Sequence, residues 1–416
     1  MGTRDPLGRI DPDHQVRATT PTRLERPLRA AALPPEVIAA VAACKRRRDL
    51  WRSPVYQRHR DALLELTYAM EHEPTPASSK PLDRPFIRTV AWNIQRGMRL
   101  DDIKRLLDTH EALRDTDVLL LNEVDIGMAR SGNRNIAREL AEHLGFGYVF
   151  GNSYLCLSYG DARDVQQSAE ARGGENRESM HGNAIISRFP FVHAENISVA
   201  ISRDKLSSSE PRLGHKKALW AELDTPRGPL HVCATHLDAY ASLAQRGEQM
   251  RDVLSLLRAR RIDQRALLGG DMNTNTYDVD TVWRLLGNFA RKMVRGGFPH
   301  AIEHYLKPHE IYERPVFDAL EQHGFEYAPF NDMSTGTSRY EVGSEGDESV
   351  IRELLPRFAV WILAYKLRPW DGVAQLKVDW FFGRGLRANA PQTLTRASVD
   401  GREVSDHDPI VVDVSF

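Results

Sequence analysis

From Phe86 onward, short apolar runs alternate with helical patterns and turn residues, the rhythm of a strand-rich α/β body. The runs predict strands at Ile87–Trp92, Val118–Leu121, Ala184–Ser187, Leu219–Leu223, Leu230–Ala234, Ala266–Leu268, Val378–Phe382 and Ile410–Val414. Helices fit between several of them. The clearest spans about Ala239 to Arg260, where Leu243, Met250, Leu254 and Leu257 share one face. Before Phe86 the texture differs. The first 33 residues are rich in Arg and Pro without an apolar period and read as a mobile arm. Glu36–Arg48 and Tyr56–Met70 then look helical, after a Pro-Pro pair suited to a helix start. Residues 71–85 hold four prolines and little apolar content, as a linker or surface crossing would. The expected division is therefore 1–85, a basic Pro-rich arm with a helical extension and linker, and 86–416, the main domain. Two stretches interrupt that domain: 158–180 is almost wholly polar, and 276–372 reads as an insertion of helical pieces with the acidic run EVGSEGDES.

Of the 416 residues, 41% are apolar and 27% charged, which excludes a disordered or fibrous chain and allows two domains or one large domain with additions. The longest apolar stretch, Phe358 to Tyr365, is far short of the roughly 18 residues of a membrane span, so no transmembrane segment is expected. The N-terminus lacks an apolar run for secretion and the Ser or Thr of a myristoylation signal, so a cytoplasmic location is expected. Cys44, Cys156 and Cys233 show no C-x-x-C spacing, against both a disulfide framework and a thiolate zinc site. Net charge is −1, split as +7 over residues 1–60 and −8 over the rest. With no global positive field, any chemistry on phosphate in the main body must rest on local groups.

Three motif matches fail on inspection. GRGLRA at 383–388 follows an apolar strand like a dinucleotide fingerprint, but Pro391 stands where the phosphate-binding helix would run. Ser202-Arg-Asp-Lys205 has no second Ser or Lys motif to support a serine acylase. Asn196-Ile-Ser198 is a glycosylation sequon only in a secreted protein.

The informative pattern is that polar residues repeatedly end apolar runs: Asn93 after TVAW, Glu123 after VLLLN's apolar core, His236 after VCAT, Asp271 after ALLGG, with Asn273 two further on. In α/β sheets such strand ends share one rim, where ligands bind. Asp379 inside VDWFF and Ser405-Asp406-His407 before PIVVDV would close the pocket. Singly, each has a plainer reading: a turn residue, a solvated strand end, a satisfied core histidine, a structural carboxylate. Jointly they are ordered as AWNIQRG (91–97), LLLNEVD (119–125), GNAIISRFP (182–190), ATHLD (234–238), GGDMN (269–273), KVDWFF (377–382) and SDHDP (405–409). That order resembles the endonuclease/exonuclease/phosphatase superfamily of metal-dependent phosphoesterases over residues 86–416. The resemblance implies a four-layer α/β/β/α sandwich of two mainly antiparallel sheets flanked by helices.

The resemblance also assigns roles. Asn93 and Glu123 would hold a divalent metal, Glu123 directly, with Asp406 a further carboxylate near it. Such an oxygen-only set suits Mg²⁺ or Mn²⁺. His236 and Asn273 would contact phosphoryl oxygens, Asp271 would orient or deprotonate the attacking water, and His407, polarised by Asp379, would act from the other side. Either Asp271 or the His407–Asp379 pair is the base. Arg96 and His181 are weaker candidates for touching substrate, and Asp238 for orienting His236 or a loop. The expected activity is hydrolysis of a phosphate ester, more a phosphodiester than a monoester, with nucleic acid a possible substrate. The basic segment 45–60 with Trp51 and Tyr56 would help a nuclease, though an amphipathic surface helix explains it as well. Residues 356–370, with Trp361, Tyr365 and Trp370, would help a lipid- or inositol-phosphate phosphoesterase, though they also fit a core helix. An inactive binding protein on the same fold is disfavoured by the intact residue set. Anchored at both ends beside the pocket, 276–372 is expected to overhang it, with Trp283, Phe289, Phe317 and Trp361 forming a core of its own.

Overall fold

The computed structural model describes residues 22–77, 82–161, 164, 168, 174–202, 205–262, 264–278, 282–341 and 364–416. Two large sheets pack face to face. One runs, in spatial order, through Arg387–Thr393, Ile410–Ser415, Ile87–Arg96, Val118–Ile126, Met180–Ser187, Gly147–Cys156 and Met70–Glu73, with Arg212–Gly214 also paired to Gly147–Cys156. The other runs through Thr22–Arg23, Phe191–Ser198, Lys217–Thr225, Gly228–Thr235, Ala266–Asp271 and Asp379–Arg384. Among the described strands of these sheets the pairs are antiparallel, except Ile87–Arg96 with Val118–Ile126 and Gly228–Thr235 with Ala266–Asp271.

All eight expected strands are present, mostly longer than their apolar runs, because strand pairing carries polar residues at the rim into the ladder. Between the sheets, Leu120, Val149, Ile185, Val232, Leu267, Phe381 and Val412 form the central core. The Leu100–Thr109 and Ile136–Leu144 helices cover the outer face of the larger sheet. On the other side, the expected central helix, Leu243–Ala259, buries Met250, Leu254 and Leu257 against the smaller sheet. The result is the four-layer α/β/β/α sandwich. Gly270 marks how closely the two sheets approach at the rim: at φ 134°, a Cβ there would sit 2.3 Å from the Thr235 carbonyl and 2.5 Å from Asn122 Oδ1.

Parts of the first 85 residues are built into this sandwich. Thr22–Arg23 extends the smaller sheet, and Met70–Glu73 extends the larger one, where a helix end and linker were expected. Both are short edge strands whose partners lie far along the chain, a pairing that local periodicity cannot register. The first expected helix is split into Pro35–Ala42 and Arg47–Arg52, and the second runs over Pro54–Thr67, capped by Ser53 Oγ accepting from the Tyr56 N–H at 3.2 Å. The arm before residue 22, Arg203 and Asp204 lie outside the described residues. Pro391 falls at a register shift in the Arg387–Thr393 strand, and Asn196 is buried, so neither dinucleotide binding nor glycosylation is served there.

The insertion contributes the Val282–Leu306 helix, broken at Gly296 and Gly297, then Arg314–Glu321 and a two-stranded sheet of Ser338–Glu341 with Val373–Leu376. Phe317 does enter a core, but that of the main domain, with ring centroids 4.9 Å from Trp380 and 5.6 Å from Phe382. Trp283 and Phe289 are exposed; the insertion's own cluster is Phe298, Ile302, Leu367 and Ala374. Trp361 and residues 342–349 of the acidic run lie outside the described residues. Among the described residues no helix is long and apolar enough to cross a membrane.

Candidate active site

The two parallel pairs place four strand ends along one rim. Asn93 lies beside Asn122 in register, so Asn93 and Glu123 sit on neighbouring strands of the larger sheet; Thr235 and Asp271 end neighbouring strands of the smaller one. A cross-sheet link holds the halves together: Asn122 Oδ1 accepts from the Asp271 N–H at 2.8 Å, and Asn122 Nδ2 donates to Asn183 Oδ1 at 2.9 Å. The rim backbone is locally strained, with left-handed φ at Gln95 (45°), Arg96 (66°), Glu123 (54°), Asn273 (48°) and Thr276 (68°). Register shifts at Asn93/Arg96 and Leu121/Val124 accompany it and turn Glu123 out of the ladder.

Asp271 is the meeting point. Its Oδ2 accepts from Asn93 Nδ2 at 3.2 Å and lies 3.4 Å from His236 Nε2 and 3.9 Å from His407 Nε2, while Oδ1 accepts from the Asn273 N–H at 2.9 Å. Burial pushes its carboxyl up to about 7, with Asp379 adding to the rise and His407 and Lys216 opposing it. His407 Nδ1 is 2.8 Å from Asp379 Oδ2, and the Asp379 N–H donates to Thr337 Oγ1 at 2.9 Å. Burial disfavours the His407 cation, yet Asp379 and Asp271 hold its pKa well above the ordinary imidazole value. His236 behaves oppositely: burial first, then Lys216 beside it, keep it neutral, well below that value. Lys216 Nζ is 2.5 Å from His236 Nε2, which fits an ammonium donating to a neutral ring nitrogen.

Glu123 lies at the register shift within the Val118–Ile126 strand, partly exposed. Burial opposes its charge, but Arg96 Nη1 at 3.3 Å, His236, His181 and Lys216 hold it well below the ordinary carboxyl value. Asp406 is half-buried in the loop fixed by Ser405 Oγ, which donates to the Asn93 carbonyl at 2.7 Å. Asn273 Nδ2 donates to the Leu237 carbonyl at 3.0 Å.

The three weaker candidates do different work. Arg96 is enclosed by carboxylates: besides Glu123, its guanidinium lies 3.3 Å from Asp161, 3.2 Å from Asp164 and 3.9 Å from Glu210. His181 Nδ1 is 2.8 Å from Asp125 Oδ1 and 3.4 Å from Arg130, itself fully buried against Asp125, Asp164 and Glu210. Burial and Arg212 pull His181 down to about 4. Asp238 accepts from Ser202 Oγ and from the Tyr240 N–H, and pairs with Lys205 at 3.4 Å, so it ties a loop down. The residues missed from sequence are Lys216, Asn122 and the Asp161–Asp164–Glu210 cluster. A signal for Lys216 existed: the lysine pair of HKKALW opens the strand whose hairpin partner ends in THLD.

The donor set suits a hard divalent cation. Glu123 offers an ionised, partly exposed carboxylate at the bulge of its strand, with the Asn93 amide on the adjacent strand. Among the described residues, Glu123 belongs to neither of the tight three-ligand groups, Asp271–Asp379–His407 and Asp161–Asp164–Glu210. A carboxylate with an amide oxygen and waters is an oxygen set that a hard divalent cation can use while sharing phosphate oxygens.

Among solved structures, the chain is similar to an endonuclease/exonuclease/phosphatase from Beutenbergia cavernae DSM 12333, at 20% identity and TM-score 0.47 over 80% of this chain and 72% of that one. It is similar to D. rerio TDP2 complexed with single strand DNA product at 14% identity and TM-score 0.44, over 80% and 100%. The human Nocturnin catalytic domain with bound sulfate anion gives 16% and 0.43, over 81% and 96%. No curated protein matches the chain. The sequence profile of the Endonuclease/Exonuclease/phosphatase family matches residues 90–407, and the chain belongs to that family.

Proposed function

We propose that the chain is a phosphodiesterase dependent on Mg²⁺ or Mn²⁺ that cleaves a P–O bond of its substrate with water. Members of the family are generally divalent-metal-dependent phosphoester hydrolases. The observation that carries the reading is the convergence on Asp271: a carboxyl poised near neutrality faces a neutral His236 at 3.4 Å and a charged His407 at 3.9 Å. A base near pH 7 beside a fixed cation is what attack of water on a phosphodiester requires.

In this reading the water oxygen bonds to phosphorus as the bond to the leaving oxygen breaks, and the water proton passes to Asp271. His407, kept charged by Asp379, presents Nε2–H to the charge that develops and can return the proton. Asn273, His236 and Lys216 face the phosphoryl oxygens. Glu123 and Asn93 would hold the metal, with Asp406 near it through water. When bound, the cation neutralises phosphate charge and lowers the cost of forming hydroxide.

The test measures product release from DNA, RNA, sphingomyelin, inositol phosphates and a generic aryl phosphodiester, with and without Mg²⁺. Turnover of at least one diester should require metal, and Glu123→Gln should nearly abolish it at low metal while folding is kept. Undiminished turnover in excess EDTA would overturn the proposal.

A further inference from the structure

The first arm of the Val282–Leu306 helix, up to the break at Gly296, is turned inside out. Its buried side carries Asn288 and Lys292, whereas Trp283 is 83% exposed, Val294 89%, Leu286 44% and Phe289 36%. At 3.6 residues per turn, Trp283, Leu286, Ala290 and Val294 fall within a stripe about 80° wide. Gly287 lies about 20° beyond the stripe, on the arginine side, and among the described residues a Cβ added there would meet nothing within 4 Å, so the face is open at that point. Arg284, Arg291 and Arg295, all exposed, line one flank of the stripe. Residues 281–302 contain no Asp or Glu.

The buried side explains why the helix is fixed in this orientation. Lys292 Nζ donates to the Thr276 carbonyl and to Thr276 Oγ1, both at 2.7 Å, and lies 3.4 Å from the centre of the Tyr277 ring and 4.5 Å from that of Tyr312. Rolling the apolar stripe inward would strip the ammonium of these partners. The exposure is therefore enforced by the fold.

We propose that this face binds the surface of an anionic phospholipid bilayer, the apolar stripe entering the headgroup boundary and the arginines pairing with lipid phosphates and carboxylates. The charge pattern selects that occupant. A second copy of the chain using the same face would bring two arginine rows together, with no acid within residues 281–302 to offset them. A nucleic acid would satisfy the arginines but leave Leu286 and Val294 against a polar backbone. A bilayer takes both, which is the composition of an interfacial helix. The inference stands independently of the phosphoesterase reading. Because Lys292 reaches Thr276, three residues beyond Asn273, it would also bring the candidate site to the membrane surface.

The experiment is co-sedimentation of the full chain with phosphatidylcholine vesicles and with vesicles containing 30% phosphatidylserine, alongside tryptophan fluorescence. Binding is expected for the anionic vesicles only, weakening with salt, with a blue shift absent from Trp283→Ser. Trp283→Ser with Val294→Ser should lower partitioning at least tenfold. Arg284→Gln with Arg291→Gln and Arg295→Gln should lower it about a hundredfold, at about fivefold per arginine. All five positions are exposed, so circular dichroism should match the parent. Failure of the folded parent protein to partition onto anionic vesicles overturns the proposal. So does a dimer abolished by Trp283→Ser, or DNA binding that needs the arginines but not Trp283 and Val294 in place of vesicle binding.

Discussion

Replacing Lys216 with Met tests the site at the residue its sequence pattern hides. The ammonium lies 2.5 Å from His236 Nε2, and burial pulls its pKa down to about 8 while Glu123, Asp238 and Asp271 pull upward. It is therefore mostly charged at pH 7 and begins to lose its proton within the range an assay can reach. A donor that meets charge developing on phosphate contributes about 3 kcal/mol, so Lys216→Met should lower kcat/KM on an aryl phosphodiester about 100-fold at pH 7. The sign of the pH effect follows from the active form being the cation: parent kcat/KM should decline above about pH 8. Lys216→Met should lack that decline, and Lys216→Arg should displace it beyond the assay range. Stability moves the other way. The unfolded chain binds more protons than the native one between about pH 8 and the ordinary lysine value, so parent stability rises with pH across that window, by up to about 1.4 kcal/mol per unit. The Met variant should lack this slope. Steady-state kinetics from pH 6 to 10, with urea unfolding at each pH, measure both. A loss under threefold, or a decline near pH 8 that persists in the Met variant, would refute the role.

Asp379→Asn should lower the rate by orders of magnitude through His407, since the carboxylate 2.8 Å from Nδ1 fixes the ring and its charge. The double variant with His407→Ala should then be little worse than His407→Ala alone; multiplicative losses would show that the two act separately. Among the described residues, buried Lys217 has only the Ser153 carbonyl at 3.5 Å and the Tyr68 ring at 4.8 Å as partners, and burial alone lowers its pKa to about 7. Between about pH 7 and the ordinary lysine value the unfolded chain holds the extra proton, so stability rises with pH there. After about 1–2 kcal/mol for the ring contact, Lys217→Met should stabilise the fold by roughly 2–3 kcal/mol at pH 7 and less at pH 9, read by urea denaturation. Replacing 341–348 with a short Gly-Ser linker should change activity on a large substrate selectively if the insertion covers the site; equal ratios on large and small diesters would dismiss a cover.

Much of the rim was legible because a residue serving a pocket at a strand end must interrupt an apolar run. Asn93, Glu123, His236, Asp271 and Asp379 all do so, and the structure brings them with His407 to the same edge. Lys216 was not, since a lysine opening a strand looks the same whether it faces water or a buried histidine, and only the hairpin pairing with the strand that ends in THLD marks it. Nor was the acidic enclosure of Arg96. Asp161 and Asp164 come from a polar stretch without period and Glu210 from a distant turn, and only folding sets them around one guanidinium. The edge strands Thr22–Arg23 and Met70–Glu73 were missed for the same reason, being defined by partners rather than by their own pattern.

The insertion touches the site through polar contacts at both of its loops, which bears on how its role can be separated from the chemistry. On one side Glu313 accepts from the Thr276 N–H at 2.9 Å and pairs with the buried Arg246, which also donates to the carbonyls of Ala241 and Tyr277. On the other, Thr337 Oγ1 accepts from the Asp379 N–H, its carbonyl accepts from the Asp408 N–H at 2.7 Å, and Arg339 pairs with Asp408 at 2.7 Å. Asn273 and His407 are thus held by loops that the insertion itself braces. Removing one partner of the buried Arg246–Glu313 pair would leave an uncompensated charge at a cost of about 3–5 kcal/mol, borne by the loop that carries Asn273. Deleting the whole insertion would therefore damage turnover of every substrate, whatever it does for selectivity. The replacement of 341–348 discriminates better because the bracing residues Glu313, Thr337 and Arg339 all precede it and are retained.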